Sequence, residues 1–213
     1  VIAEILPACV AAVEVFGDVP GAELFPAERA ALSRAAEPRR AEFATGRWCA
    51  RAALARFGIP AGPILRGPYG EPQWPAGMTG SITHCSGYRA SAVAPTAQTP
   101  AIGIDAEPDG PLPDGVLDRV ARPEEQAWLR EVPAAAGFSP DRLLFCAKEA
   151  AYKAWFTLTG RSLSYQNVAV RADAAAASFT ASVLADGQPE ADLPGRWLAD
   201  QGLILTAVTV LAA

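Results

Sequence analysis

Helical text followed by strand text occurs twice along this 213-residue chain, and that succession predicts an α+β fold of two similar halves meeting near residues 103–110. Composition agrees with it: 51% hydrophobic and 19% charged residues are enough to bury a full core, as one large domain or two small halves. The halves are set at residues 1–103 and 104–213. No residue-level repeat is visible in the sequence, and the only biased run is the short AAAA at 174–177.

From about Ala22 to Gly58 the text is helical, with a break at EPRR, where Pro38 suits the first turn of a second helix that Gly58 and Pro60 end. Residues 62–80, GPILRGPYGEPQWPAGMTG, are rich in Gly and Pro and read as an irregular crossing loop. The runs SITHC, ASAVA and AIGIDAE are short and small or β-branched, and are expected to form a first sheet. A second helical stretch runs from about Pro113 to Thr159, interrupted near Pro133 and Pro140. In its last part Leu144, Ala147, Ala151 and Trp155 can pack inward while Glu149 and Lys153 share another face one turn apart. After it, NVAVRA, SFTASVLADG, RWLADQG and LILTAVTVL read as antiparallel strands, with turns at Asp186-Gly187 and Gln201-Gly202.

Several function classes are excluded. No apolar run approaches the ~20 residues that span a bilayer, and the opening VIAEILPACVAAVEVFGD lacks the basic start and cleavage signature of an export signal. Because residue 1 is Val and not Met, further residues are expected upstream. A net charge of −5 argues against general nucleic-acid binding, which needs a basic surface to neutralise phosphates. Cys9, Cys49, Cys85 and Cys146 are scattered singly, so a zinc site is not expected and a reducing, cytoplasmic setting is. The five Trp residues are dispersed and assigned to packing.

Three groups of residues can carry chemistry. Asp105 and Glu107 end a strand two residues apart and so point to one side. Two such carboxylates are half of a magnesium site, or equally the polar end of a strand closed by Pro108 and Asp109-Gly110. Glu149 supplies a third carboxylate if its helix crosses that strand end; Lys148 and Lys153 could then hold charge near a phosphate or protonate a leaving group, where otherwise Glu149 and Lys153 are a solvated pair. Arg40, Arg47 and Arg51, spaced by seven and four, share one helical face with Arg39 beside its start. That face suits bidentate phosphate recognition, or is a solvated basic surface. Gly46 inside this helix points to close approach of a ligand or another backbone, since it costs ~1 kcal/mol relative to Ala. His84, the only histidine, is a satisfied structural residue or a donor to a phosphate oxygen, with the hydroxyls of Ser81 and Thr83 nearby.

Together, RRAEFATGRWCARAAL, GEPQWPAGMTGSITHCSGYRASAVA, GIDAEP and LLFCAKEAAYKAWFTLTGR resemble, in that order and separation, the Sfp-type phosphopantetheinyl transferases, in particular their EntD-like actinobacterial branch. The resemblance covers nearly the whole chain. It implies two pseudo-symmetric α/β halves with coenzyme A and Mg²⁺ (Mn²⁺ as an alternative) in the cleft between them, in a monomer. By similarity, Asp105, Glu107 and Glu149 hold the metal, and Lys153 contacts the coenzyme A phosphates and protonates the leaving group. His84 with Ser81 and Thr83, the basic residues Arg39, Arg40, Arg47 and Arg51, and Lys148 line the coenzyme A site. Glu124 resembles a carboxylate placed near the metal as base or ligand. Thr83 departs from the usual Ser and Ala106 from the Ile of many members, and neither change removes a required group.

The implied reaction transfers the phosphopantetheine arm of coenzyme A to a serine of an apo acyl or peptidyl carrier protein of fatty-acid, polyketide or nonribosomal-peptide assembly, releasing adenosine 3',5'-bisphosphate. Glu149, or Glu124 through water, takes the serine proton. The segment GPILRGPYG and the stretch from Arg119 to Leu144 are the candidate carrier-docking surfaces. Two alternatives stand beside this reading: a metal-dependent phosphohydrolase of coenzyme A-like pyrophosphates, and a non-catalytic coenzyme A-binding module.

Overall fold

The computed structural model describes residues 1–133, 137–185 and 187–212. In chain order it contains β1 (Ala11–Phe16), α1 (Pro26–Ala31), α2 (Glu37–Ala55), β2 (Met78–Cys85), β3 (Tyr88–Pro95), β4 (Ala101–Pro108), α3 (Leu117–Val120), α4 (Pro123–Glu131), α5 (Pro140–Thr159), β5 (Val168–Asp173), β6 (Ser178–Ala185), β7 (Gln188–Asp200) and β8 (Leu203–Val210). Pro26, Pro38, Pro123 and Pro140 each sit in a helix's first turn, where a missing N–H has no helical acceptor to lose. At the hairpin between β7 and β8, Gln201 and Gly202 have φ of 51° and 75°, the left-handed pair a tight hairpin turn requires. Of the other expected turn, Gly187 has φ 78°, while Asp186 lies outside the described residues.

The strands form two antiparallel sheets, ordered β1-β3-β2 and β4-β8-β7-β6-β5. This α+β architecture is the expected one, with two differences. β1 was not anticipated, because a six-residue run with two alanines and a central Glu14 gives little strand signal. β4, placed by the sequence in the first sheet, belongs to the second: its backbone pairs with β8 from Ala101↔Val210 to Pro108↔Leu203. Toward β2 it meets side chains instead. The Ile104 amide donates to Ser81 Oγ at 3.1 Å and the Ala106 amide to Thr83 Oγ1 at 3.0 Å. Period-2 alternation puts both hydroxyls on the same side of β2, so they satisfy the free edge of β4 and join the two sheets.

Each sheet packs against one long helix. α2 buries Ala50, Ala53 and Leu54 against Ala11 and Val93. α5 buries Leu144, Ala147, Ala151 and Trp155 against Phe179, Val183 and Ile204. Its alanines permit very close approach to β4: a Cβ on Gly103 would stand 1.9 Å from the Ala150 carbonyl oxygen. At Gly46 the close neighbour is a side chain, Ile82, 3.3 Å from where a Cβ would be. The reverse faces of the sheets meet through Ala90, Ala92, Ile102, Ile104 and Leu205.

A repeat invisible in the sequence appears in three dimensions. Glu28 in α1 and Glu125 in α4 each lie two residues after a helix-opening Pro and are almost fully buried. Each accepts its own helix's N-cap amide (Phe25 at 2.8 Å, Arg122 at 2.7 Å) and an amide downstream of the long helix (Ile64 at 2.9 Å, Val170 at 2.7 Å). Each also pairs with a base on that helix, Arg51 at 3.0 Å and Lys148 at 2.7 Å. The two carboxylates thus occupy equivalent positions relative to α2 and α5.

Candidate active site

Where the sheets meet, β4 delivers Asp105 into a position enclosed by β2 and α5. Asp105 Oδ1 accepts from Thr83 Oγ1 at 3.2 Å and from Lys153 Nζ at 2.6 Å. Its other oxygen, Oδ2, is buried with no partner. Lys153 Nζ also donates to the Ile104 carbonyl at 2.9 Å. Burial alone would lower this ammonium's pKa, but the Asp105 carboxylate outweighs it, and the group is held above the usual lysine value. Glu107 projects to the same side as Asp105 and meets Arg142 Nη1 at 3.2 Å. Burial first, and then the Asp105 charge, push its pKa up despite Arg142.

Glu149 stands one turn before Lys153 on α5, and Tyr165 donates its hydroxyl to Glu149 Oε1. Burial, followed by this carboxylate acceptor, pushes the Tyr165 phenol up, so it stays a donor across the accessible pH range. Two hollows flank Glu149 and Tyr152. A cleft of about 190 Å³ is bounded by Tyr69–Pro72, by Gly80–Ile82 of β2 and by Lys153, Phe156 and Thr157 of α5. A hollow of about 380 Å³ lies between α5, Arg119, the segment Ser162–Gln166 and Val168.

The basic residues separate into two sets. Arg39 Nη1 lies 2.9 Å from His84 Nε2, and Glu42 Oε1 lies 3.0 Å from His84 Nδ1. A guanidinium can only donate, so Nε2 accepts, and Nδ1 carries the proton that Glu42 receives. Burial pulls the imidazole pKa down against the pull of Glu42, keeping the ring neutral. Arg40, exposed, pairs with Glu37 at 3.1 Å. Arg47 and Arg51 share the same helical face, as their spacing requires, but segments of the chain cover them. Arg47 donates to the Ile64 carbonyl at 2.8 Å and stacks on Phe43; Arg51 holds Glu28 and the Glu23 carbonyl. Both side chains therefore help hold the fold together, and the contacts engage only Nε of Arg47 and the two terminal nitrogens of Arg51.

Lys148 departs from expectation in the same way. It borders the larger hollow, yet its side chain is 1% exposed and its ammonium has three acceptors: Glu125 Oε2 at 2.7 Å, the Val120 carbonyl at 2.8 Å and the Tyr165 carbonyl at 3.0 Å. With all three N–H groups engaged, it cannot reach a ligand without unpairing Glu125. Glu124 is 56% exposed and pairs with Arg122 at the surface; its neighbour Glu125 is the one that enters the core. Ser81 and Thr83 use their hydroxyls at the seam, though Ser81 also borders the smaller cleft. Among the described residues no three His, Cys, Asp or Glu side chains close into a ready cation cage. Sequence reading missed Tyr165, Arg142 and Glu42. Only Glu42 leaves a local signal, three residues after Arg39 on one helix.

Residues 27–94 match the family described as the 4'-phosphopantetheinyl transferase N-terminal domain, and residues 101–200 match the 4'-phosphopantetheinyl transferase superfamily. The chain is 46% identical over 220 residues to 4'-phosphopantetheinyl transferase Svp of Streptomyces mobaraensis, spanning 99% of this chain and 89% of that protein. It is 44% identical over 223 residues to 4'-phosphopantetheinyl transferase PptT of Mycobacterium tuberculosis, with 98% and 97% coverage. A more distant similarity, 34% over 127 residues, links it to enterobactin synthase component D of Escherichia coli, covering 59% of each chain.

Proposed function

The chain belongs to the 4'-phosphopantetheinyl transferase superfamily, and from that premise we propose that it moves the phosphopantetheine arm of coenzyme A onto a serine of apo carrier proteins at the seam between its sheets. The observation that carries this reading is the end-to-end similarity to transferases, combined with the gathering of Asp105, Glu107, Glu149 and Lys153 at that seam. Arg39 and Lys153 supply the cationic donors for the phosphates, with Arg40 at the rim, and His84, which accepts from Arg39 and donates to Glu42, holds Arg39 in place. The larger hollow, with Leu163, Val168, Tyr152 and the Ser162 and Ser164 residues in its lining, suits the uncharged amide-bearing arm.

A divalent cation of the Mg²⁺ class fits Asp105, Glu107 and Glu149. Asp105 Oδ2 is a buried acceptor without a donor, and Glu107 is disfavoured as an anion by burial and then by Asp105, so a hard cation would relieve both. Magnesium needs only one to three carboxylates, with waters and substrate phosphates completing its shell, so a closed cage is not required. When bound, it would offset charge gathering on the pyrophosphate oxygens.

The chain's own groups do the rest. Glu149 borders both hollows and takes the proton of the carrier serine; Glu124, at the surface with Arg122, is not needed for this. The serine oxygen forms its bond to the pantetheine phosphorus as the bond from that phosphorus to the bridging oxygen breaks. Adenosine 3',5'-bisphosphate leaves with the electron pair, and Lys153, kept charged by Asp105, neutralises it. We place the enzyme in the cytoplasm as a monomer, since Cys9, Cys49, Cys85 and Cys146 are free thiols and both walls of the cleft come from one chain. No helix among the described residues is long and apolar enough to cross a membrane.

Incubation with coenzyme A, Mg²⁺ and an apo acyl or peptidyl carrier should add the mass of one arm to the carrier. No mass gain across several carriers would overturn the assignment. Loss of coenzyme A without carrier would instead indicate hydrolysis, a reading the transferase relatives do not favour.

A further inference from the structure

The turn that follows α5, Ser164–Asn167, is fastened far more heavily than a surface connection needs. Within it, Asn167 Oδ1 accepts from the Ser164 amide at 3.2 Å and from Ser164 Oγ at 2.6 Å. Outward from it, Gln166 Nε2 donates to the Arg119 carbonyl at 3.2 Å, and Arg122 Nη1 donates to the Gln166 carbonyl. Lys148 Nζ, itself fixed by Glu125, holds the Tyr165 carbonyl at 3.0 Å. The Tyr165 ring rests on Phe145 with centroids 5.9 Å apart. All of this immobilises one side chain, and that side chain ends in a hydroxyl bonded to Glu149 Oε1.

We propose that Tyr165 is the positioning residue of the site: it fixes one oxygen of Glu149 and leaves the other aimed at the reaction centre, while Lys148 acts at one remove by anchoring Tyr165. The proposal rests on the transferase reading for the role of Glu149, but not for the geometry. A glutamate on an exposed helix face samples several rotamers, and fixing one carboxylate oxygen to a rigid phenol removes that freedom before substrate arrives. Partners of this kind, one shell behind a reacting or metal-binding carboxylate, typically contribute about 10- to 100-fold. Lys148 thereby gains a function consistent with its place beside Glu149 without touching the ligand.

The test is Tyr165→Phe, which keeps the ring on Phe145 and the carbonyl on Lys148 and removes only the hydroxyl. Carrier modification is measured as kcat and as KM for coenzyme A. Mn²⁺ binding to the free protein is followed separately by electron paramagnetic resonance, and thermal melting checks the fold. The expected result is a kcat lower by about 10-fold or more, weaker Mn²⁺ binding by a similar factor, little change in KM for coenzyme A and an unchanged melting temperature. Unchanged kcat and unchanged Mn²⁺ affinity would overturn the proposal and leave Tyr165 a packing residue. A lower melting temperature that accounts for the whole loss of activity would overturn it too. A wild-type protein that modifies no carrier would defeat the transferase reading instead, and the Mn²⁺ comparison would still decide the role of Tyr165.

Discussion

Replacing Lys148 with Met distinguishes a lysine that builds the site from one that binds the ligand. The ammonium donates to Glu125, Val120 and Tyr165, so its loss leaves Glu125 with only the Arg122 and Val170 amides and strips a donor from two carbonyls. Breaking a buried pair on one side costs about 3–5 kcal/mol, because the surviving charge keeps its desolvation penalty. At roughly 2–4 °C per kcal/mol for a chain of this size, the melting temperature should fall by roughly 6–20 °C. Adding Glu125→Gln should return part of the loss, since the stranded charge disappears, and the double variant should be less destabilised than the sum of the singles by ~0.5–3 kcal/mol. Calorimetric melting of the three variants gives the cycle, and steady-state rates give the functional side: kcat falls through Tyr165 while KM for coenzyme A changes little. A Lys148→Met protein with wild-type melting and a much raised KM for coenzyme A would refute this reasoning and restore the ligand-binding role read from the sequence.

Gly103→Ala should be costly out of proportion to its size, because the new methyl would lie 1.9 Å from the Ala150 carbonyl oxygen and α5 must move with Glu149 and Lys153 on it. A stability loss of ~1–3 kcal/mol or more, with activity falling further than stability explains, is expected from melting and rate measurements. By contrast Gly46→Ala should be near neutral in melting temperature, since only the Ile82 side chain must yield and helix propensity gains ~1 kcal/mol. Asp105→Asn should remove turnover while the protein still melts cooperatively; near-normal activity at ordinary Mg²⁺ would show that the proposed site is wrong. Glu107→Gln should stabilise the metal-free protein at neutral pH and abolish stabilisation by Mg²⁺. Because the folded-state pKa of Glu107 is raised, keeping it ionised costs stability above that value, and the cost disappears below the ordinary carboxylate range where folded and unfolded chains are both protonated. Melting of wild type and variant at pH 7 and at about pH 3 should therefore differ at the first and converge at the second.

The helices, the four C-terminal strands and the placing of Asp105 and Glu107 on one side of a strand, with Glu149 and Lys153 one turn apart on a helix, were legible in the sequence. Each rests on local information: a 3.6- or 2-residue period, a proline that opens a helix, a left-handed turn at Gln201-Gly202, residue types suited to phosphate and hard cations. What the sequence left open was which polar groups face each other. Local spacing put Arg40, Arg47 and Arg51 on one face of α2, but only the packing of Glu23–Glu28 and Ile64 against that face shows that Arg47 and Arg51 also hold chain segments in place. Glu124 and Glu125 are adjacent and chemically alike, and the capping position in α4 together with the distant Val170 amide and Lys148 selected the second for burial. β4 and β2 were rightly read as strands, yet their sheets follow from edge satisfaction: a free edge of β4 met by the hydroxyls of Ser81 and Thr83 instead of a backbone ladder. Residue types and periodicity are properties of short stretches of chain and survive in its letters. The partner of a buried charge, and the hydroxyl that aims a carboxylate, are set by contacts across tens of residues, which exist only once desolvation has forced every buried donor and acceptor to find its counterpart.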